Sequence, residues 1–297
     1  MQIPQLRLLT LLTLHGVLAT AQDNPVFRSS VEFIFVDAQV LSQGNPVRGL
    51  TKQDFLVWDN GKPQTIVSFG ADDQPLDVML LIDISGSMVP IEQKVKSVAA
   101  DAMASLLASD RVGIAVFSHR ARLVIAPSSD RKKVDTAVRQ ISWVGTGTEL
   151  NGTVLNTAKY LGNHARMEAR WAVIILTDNK GYRSMPDEWV RDGLWESNVV
   201  MNALLFPKTA GESGDADVRR FVKHTGGETI VVRSADIPLA AMFRRLRERY
   251  GIMYHAPEGE PGSMRTIRVE MTPQARSKLK DVKIRARAGY KVGAVSR

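Results

Sequence analysis

The sequence predicts an α/β fold, a doubly wound and mostly parallel sheet with β-strands flanking it at both ends. Three observations carry this. The runs DVMLLID (77–83) and WAVIILTD (171–178) are short and continuously apolar, as strands covered on both faces must be. Between about residues 76 and 249 such runs alternate with helix-period stripes, the pattern of βα units around a parallel sheet. The stretches before and after carry strand patterns and no helical period. The 297 residues are 44% hydrophobic and 24% charged, which excludes a disordered, collagenous or membrane-spanning chain. No cysteine is present, so disulfides, Cys-ligated zinc, iron–sulfur clusters, thiol nucleophiles and a lipid-modified cysteine are excluded as well.

The first 21 residues read as a secretory signal peptide. A basic start with Arg7, an apolar run from Leu8 and the small-x-small ending Ala19-Thr20-Ala21 fit cleavage after Ala21. The apolar run is shorter than the ~20 residues a membrane span needs. An exported chain, periplasmic or secreted, is therefore expected to begin at Gln22, with no transmembrane segment.

Residues 22–75 form an N-terminal β segment. FRSSVEFIFVDAQVL and FLVWDNGKPQTIVSF have strand composition, and Asn60-Gly61 between Val57-Trp58 and Thr65-Ile66-Val67 signals a tight hairpin. From residue 76 to 249 the elements follow in order. After the strand DVMLLID, residues Ile91, Val95, Val98, Ala102 and Leu106 make a helix stripe. RVGIAVF and RLVIAP, separated only by SHRA, are spaced for an antiparallel hairpin rather than a crossover. A helix over 131–141 leads into the loop VGTGTEL and a helix carrying Leu150, Val154, Ala158 and Leu161. After WAVIILTD come a helix near 186–197, the strand VVMNALLF, a helix near 216–224, the strand ETIVV and a helix over 237–249. Residues 250–297 return to strands: YGIMYHA, RTIRVEM and VKIRARAGY. Both flanks being strand-rich, they are expected to pack together as one small β-domain.

Lys and Arg number 39 against 31 Asp and Glu, a formal charge of +8. Loss of residues 1–21 removes only Arg7. Residues 271–297 hold eight basic residues and one acid, Asp281, so the excess belongs to this tail. Val282, Ile284 and Ala286 alternate with Lys283, Arg285 and Arg287, the pattern of a half-buried strand with a basic outer face. An anionic polymer or lipid surface is a partner this face would suit. Nucleic acid is not expected, since no aromatic-rich strand accompanies the charge.

The chemistry centres on Asp83-Ile84-Ser85-Gly86-Ser87. A D-x-S-x-S string is weak alone, but this one sits at the carboxyl end of a buried strand just ahead of a helix, where open α/β sheets place their ligands. The second buried strand also ends in an acid, Asp178, and Thr146 and Thr148 lie in a loop between the two. If the strands are neighbours, Asp83 and Asp178 supply carboxylates, and Ser85, Ser87 and a threonine supply hydroxyls. All-oxygen ligation with few carboxylates suits Mg2+ or Mn2+. Two carboxylates only just neutralise a divalent ion, so if Asp178 works through water the ion stays electropositive, with an open position for an acidic group from a partner. The competing reading of Asp83 and its serines is a helix N-cap.

The strings LLIDISGSM, GTGTEL and LTD resemble the von Willebrand factor type A domain, a Rossmann-like fold, and its metal-ion-dependent adhesion site. The resemblance spans about residues 76–249. It implies a metal-ligand role for Asp83, Ser85 and Ser87, for Thr148 in the second loop and for Asp178 in the third, with Thr146 the lesser substitute. The flanks GNPVRGLTKQDFLVWDNGKPQTIVSF, RYGIMYHAP, RTIRVEM and VKIRARAGY look like the exported bacterial branch often called VWFA-related. The family usually has Gly after the third-loop Asp, where this chain has Asn179-Lys180, and Glu149 adds an acid directly after Thr148. These departures bear on metal affinity rather than on the fold. The function implied is metal-dependent binding of a protein ligand that presents an acidic side chain.

An enzyme is not expected. Hydrolases with an aspartyl nucleophile at a strand end need a second acid two residues on, and that position is Ser85. No G-x-S-x-G elbow, Walker loop or H-E-x-x-H occurs. His119 follows a strand end and reads as a surface histidine. The sequon Asn151-Gly152-Thr153 falls in a predicted helix and reads as coincidence. Trp189 and Trp195, six apart on one helix, cannot share a face, so at least one is expected at the surface.

Overall fold

The computed structural model describes residues 33–71, 74–206, 217–233 and 237–293. The expected signal peptide and its cleavage point lie outside them. Among the described residues no helix is long and apolar enough to cross a membrane.

The N-terminal flank supplies β1 (Phe33–Ser42), β2 (Asn45–Pro46), β3 (Phe55–Asp59), β4 (Lys62–Gln64) and β5 (Ile66–Ala71). Asn60 and Gly61 both adopt positive φ, 44° and 75°, the combination a two-residue hairpin turn requires. The hairpin is shorter than expected. β4 pairs with β3, but the chain then leaves, and β5 pairs with a C-terminal strand in another sheet.

The central region follows as β6 (Leu76–Asp83), α1 (Glu92–Ala104), β7 (Arg111–Phe117), β8 (Ala121–Ser128), α2 (Arg131–Arg139), α3 (Asn151–His164), β9 (Arg170–Thr177), α4 (Asp187–Glu196), β10 (Val200–Leu205), α5 (Val218–Thr225), β11 (Thr229–Val231) and α6 (Leu239–Arg247). Its six strands lie in the order β11-β10-β9-β6-β7-β8, parallel except for the hairpin β7–β8. Every residue of β6, β9 and β10 is buried. Two apolar clusters cover the faces of the sheet, one with α1, α2 and α6, the other with α3, α4 and α5. Each fully buried Leu, Ile or Val there contributes about 1.5–3 kcal/mol. A 3-10 segment, Gly86–Ile91, precedes α1, so the helix starts one residue later than its apolar stripe.

The C-terminal flank adds β12 (Tyr250–His255), β13 (Met264–Met271), a short α7 (Pro273–Arg276) that the strand patterns do not announce, β14 (Val282–Arg285) and β15 (Gly289–Lys291). N- and C-terminal strands interleave in two sheets, β14-β1-β12-β5 with β2 on β1, and β15-β13-β3-β4, around one shared apolar core. Inside it the Asp59 carboxylate accepts hydrogen bonds from Tyr254 Oη (2.8 Å), Tyr290 Oη (2.9 Å) and Arg265 Nε (2.6 Å).

The expected basic outer face of the last strand forms only at Lys283, which is exposed. VKIRARAGY divides into β14 and β15 in different sheets. Arg285 turns inward to Glu228 (3.0 Å), Arg287 donates to Asn198 Oδ1 (2.6 Å) and the Trp195 carbonyl (2.8 Å), and Lys291 pairs with Glu196 (2.5 Å). Long basic side chains reach carboxylates and carbonyls that their backbone alternation does not reveal. Trp195 is buried and Trp189 is 63% exposed, as six-residue spacing requires.

Where the flank meets the central sheet, Asp37 of β1 sits between Arg170 Nε (2.9 Å) and Arg249 Nε (3.1 Å), all three nearly inaccessible to water. Replacing Asp37 by Ala leaves two buried guanidinium groups without their counter-charge. The variant is expected to lose about 3–5 kcal/mol of stability, read as a lower denaturation midpoint in urea.

Candidate metal centre

The candidate site is assembled by the loops that follow β6 and β9 and by the loop between α2 and α3, which packs at the end of β7. Because β6 pairs directly with both β7 and β9, its terminal residue Asp83 emerges between their ends. Backbone hydrogen bonds then join the loops. Ile84 N donates to the Phe117 carbonyl (2.9 Å), Gly145 N to that of Ile84 (3.1 Å), Glu149 N to that of Ser118 (2.8 Å) and Tyr182 N to that of Thr148 (2.9 Å). Two glycines permit this approach. A Cβ on Gly181 would lie 2.7 Å from the Thr148 carbonyl oxygen, and Gly147 has φ +69° with the His119 ring against it.

Asp83 is fully buried. Its Oδ1 accepts from Ser85 N (2.9 Å) and its Oδ2 from Thr177 Oγ1 (2.7 Å). Burial, reinforced by repulsion from Asp178, pushes the Asp83 carboxyl up to about 6, against the lowering effect of the Ser85 and Thr177 bonds. Ser85 is buried, Ser87 half-buried, and their hydroxyls share one hydrogen bond of 3.1 Å. The N-cap reading fails for the serine. Ser85 precedes the 3-10 segment but its side chain caps no backbone N–H, and α1 starts without a side-chain cap.

In the third loop Asp178 is 7% exposed. Its Oδ1 accepts from Lys180 N (3.0 Å), while Oδ2 is buried with no hydrogen-bond partner among the described residues. A buried carboxylate oxygen in that state is costly unless something positive completes it. Thr148 is buried in the second loop and Thr146 is exposed, so burial separates the two threonines. The donor set of two carboxylates and three hydroxyls, all oxygen, fits a hard divalent cation. Among the described residues no three His, Cys, Asp or Glu side chains gather into a metal cluster.

Both sequence departures have structural explanations. Asn179 takes φ +60°, a left-handed conformation that Gly or Asn adopts most readily, so Asn serves the backbone as Gly would. Its side chain bonds Asp217 Oδ1 (3.1 Å) and Val218 N (3.0 Å), anchoring the loop to the start of α5. Glu149 is no additional ligand. Its carboxylate accepts from Gly152 N (2.9 Å), Thr153 N (3.0 Å) and Ser184 Oγ (2.7 Å), capping α3 and tying it to the third loop. Asn151 is fully buried and donates to Met185 O and Asp187 Oδ1, which removes the sequon from glycosylation in the fold. His119 is exposed and lies 3.3 Å from Tyr182 Oη at the edge of the loops. Sequence reading missed Thr177, whose only signal is its place immediately before Asp178.

Residues 78–180 match the family described as the von Willebrand factor type A domain. No curated protein matches the chain. Similar solved structures include an aerotolerance-related membrane protein from Bacteroides fragilis, with 16% identity and TM-score 0.46 over 58% of this chain and 99% of that one. A von Willebrand factor type A protein from Catenulispora acidiphila has 14% identity and TM-score 0.45 over 90% and 74%. Proximal thread matrix protein 1 from the mussel byssus, solved with a zinc-occupied MIDAS motif, has 14% identity and TM-score 0.45 over 60% and 48%.

The raised Asp83 carboxyl has a signed consequence in metal-free solution. Its folded-state value of about 6 exceeds the ordinary 3.8, so its contribution to stability is complete below pH 3.8 and lost as pH rises through 6. Asp83→Asn is therefore expected to gain on the parent above pH 6, by up to about 3 kcal/mol, with the gain gone near pH 4. Denaturation midpoints in chelator across that range test this, and equal midpoints at pH 7.5 contradict it.

Proposed function

We propose that this chain, which carries a von Willebrand factor type A domain, is an exported binding protein that holds a divalent cation and uses it to capture an acidic group of a protein partner. The observation that supports this best is the pairing of two buried carboxylates, Asp83 and Asp178, one raised and the other with an oxygen unpartnered among the described residues, with the Ser85 and Ser87 hydroxyls in Asp83's own loop and Thr148 buried in the loop bonded to Tyr182. Asp83 anchors the cation, Ser85, Ser87 and Thr148 contribute neutral oxygens, and Asp178 acts directly or through water. Bound there, Mg2+ or Mn2+ supplies an electropositive coordination position that a carboxylate from the partner can complete. With Asp178 acting through water, Asp83 is the one carboxylate bound directly, so attraction for that external group survives. The chain's own residues fix the loops and exclude competing hydrogen bonds. The role is binding rather than catalysis, since the position two residues after Asp83, where an aspartyl-nucleophile hydrolase needs an acid, is a serine. The Ala19-Thr20-Ala21 ending and the apolar run before it support export.

The test is a calorimetric titration of the full chain with MgCl2 and with MnCl2 beside Asp83→Ala and Asp178→Ala. One-site binding in the parent, lost in Asp83→Ala and weakened at least tenfold in Asp178→Ala, is expected. Equal heats in parent and Asp83→Ala overturn the site.

A further inference from the structure

A second site lies away from the metal centre, where the central sheet meets the flank. A cleft of about 540 Å3 opens between α5 and β14, within the size range of ligand sites. Its rims carry Lys223 from α5 and Lys283 from β14, both exposed, with Arg219, which pairs with Asp217 (3.4 Å), at one end, and no carboxylate lines it. Lys223 and Lys283 make no ion pair with any described residue, so their charge is available. The floor is apolar, formed by Val222, Ile284, Ala286 and Ala288.

Backbone geometry adds a second, independent feature. β11 and β14 are the terminal strands of their sheets, and Thr229 and Ile284 both line the cleft. In β1, Val40 O accepts from Val47 N, so Val40 faces β2 and its neighbours Gln39 and Leu41 face β14. Their partners Arg285 and Lys283 therefore bond inward, and the N–H and C=O of Ile284 point outward from the sheet. On β11, the bonds from Ala203 N to Glu228 O and from Val232 N to Leu205 O likewise turn Thr229 outward. Among the described residues these strand edges have no backbone partner, and they lie between cationic rims.

We propose that this cleft seats an extended segment of a partner protein in which acidic and apolar side chains alternate. Its backbone lengthens the sheet at Ile284, and its carboxylates meet Arg219, Lys223 and Lys283. Strand addition to an exposed edge draws affinity from main-chain hydrogen bonds and specificity from alternate side chains, which suits cationic rims over an apolar floor. A bilayer surface is flat and does not enter a concave cleft, and a polyanionic sugar has nothing to set against Val222 and Ile284. Unlike the metal centre, this site needs no cation.

The experiment is fluorescence anisotropy of the full chain, in EDTA, with a labelled peptide of alternating Glu and Val. Saturable binding is expected, weakened about tenfold or more by Lys223→Glu combined with Lys283→Glu and falling steeply with salt. N-methylation of alternate peptide bonds in the probe, which removes strand donors without altering charge, should weaken it as well. Asp83→Ala, which tests the metal reading, should leave it unchanged. Thermal unfolding of the lysine variant, and a Lys223→Ala, Lys283→Ala pair, separate loss of charge from loss of fold. No saturable binding, equal binding by the charge-reversed variant, or equal binding of the N-methylated probe overturns the proposal. Displacement of the probe by phosphatidylglycerol vesicles but not by unlabelled peptide overturns it in favour of lipid.

Discussion

The molecule depends on a buried charge cluster, Asp37 with Arg170 and Arg249. An isolated charge in that interior costs several kcal/mol. The three are tolerable only together, and only because the surplus guanidinium donors find carbonyls. Arg170 reaches the carbonyls of Leu246 (2.7 Å) and Arg249 (3.2 Å), and Arg249 those of Asp37 (3.0 Å) and Gly226 (2.9 Å). Burial holds the Arg249 guanidinium below its ordinary value, against the opposing pull of Asp37. One residue comes from the first flanking strand, one from the start of β9 and one from the junction of α6 with β12. None of these segments can take its place without the others, which makes the flanks part of the central fold rather than attachments to it.

The same cluster fixes where function can sit. β9 begins at Arg170 and runs to Thr177, with Asp178 following, a rise of roughly 26 Å at ~3.3 Å per residue. The amino ends of the parallel strands are thereby committed to the flank. The carboxyl ends stay open, and there the loops are held by a handful of backbone bonds that set the spacing of Asp83, Thr148 and Asp178. Position along a single strand separates the structural end of the sheet from its chemical end.

Much of this was legible in the sequence because the signals are local. Continuous apolar runs identify β6 and β9, the short spacing SHRA identifies the β7–β8 hairpin, and Asn60-Gly61 marks the turn between β3 and β4. The acids at the ends of β6 and β9 point to the site because strand ends converge in any doubly wound sheet. What stayed hidden is non-local. Nothing in Thr65-Ile66-Val67 states that the chain will abandon its hairpin partner for β12, some 180 residues on. Glu149 reads as an acid beside Thr148, yet free N–H groups at the start of α3 claim it. Arg285 and Arg287 obey a strand alternation that sends charge outward, yet Glu228 and Asn198, remote in sequence, draw them in.

That last displacement changes the meaning of the net charge. Counted along the chain, the basic excess belongs to the C-terminal tail. In the fold, Arg285, Arg287 and Lys291 are paired internally, and Lys283 instead faces Arg219 and Lys223 across a cleft. Buried carboxylates, Asp83 and Asp178, mark the site at the carboxyl ends of β6 and β9, and exposed cations mark the cleft between α5 and β14. On the proposed readings, an acidic partner needs a cation to engage Asp83 and Asp178 and needs none to enter the cleft. Under the readings proposed above, metal dependence is what distinguishes one acidic contact from the other. A ligand carrying both kinds of acidic segment would engage the two sites by separable mechanisms.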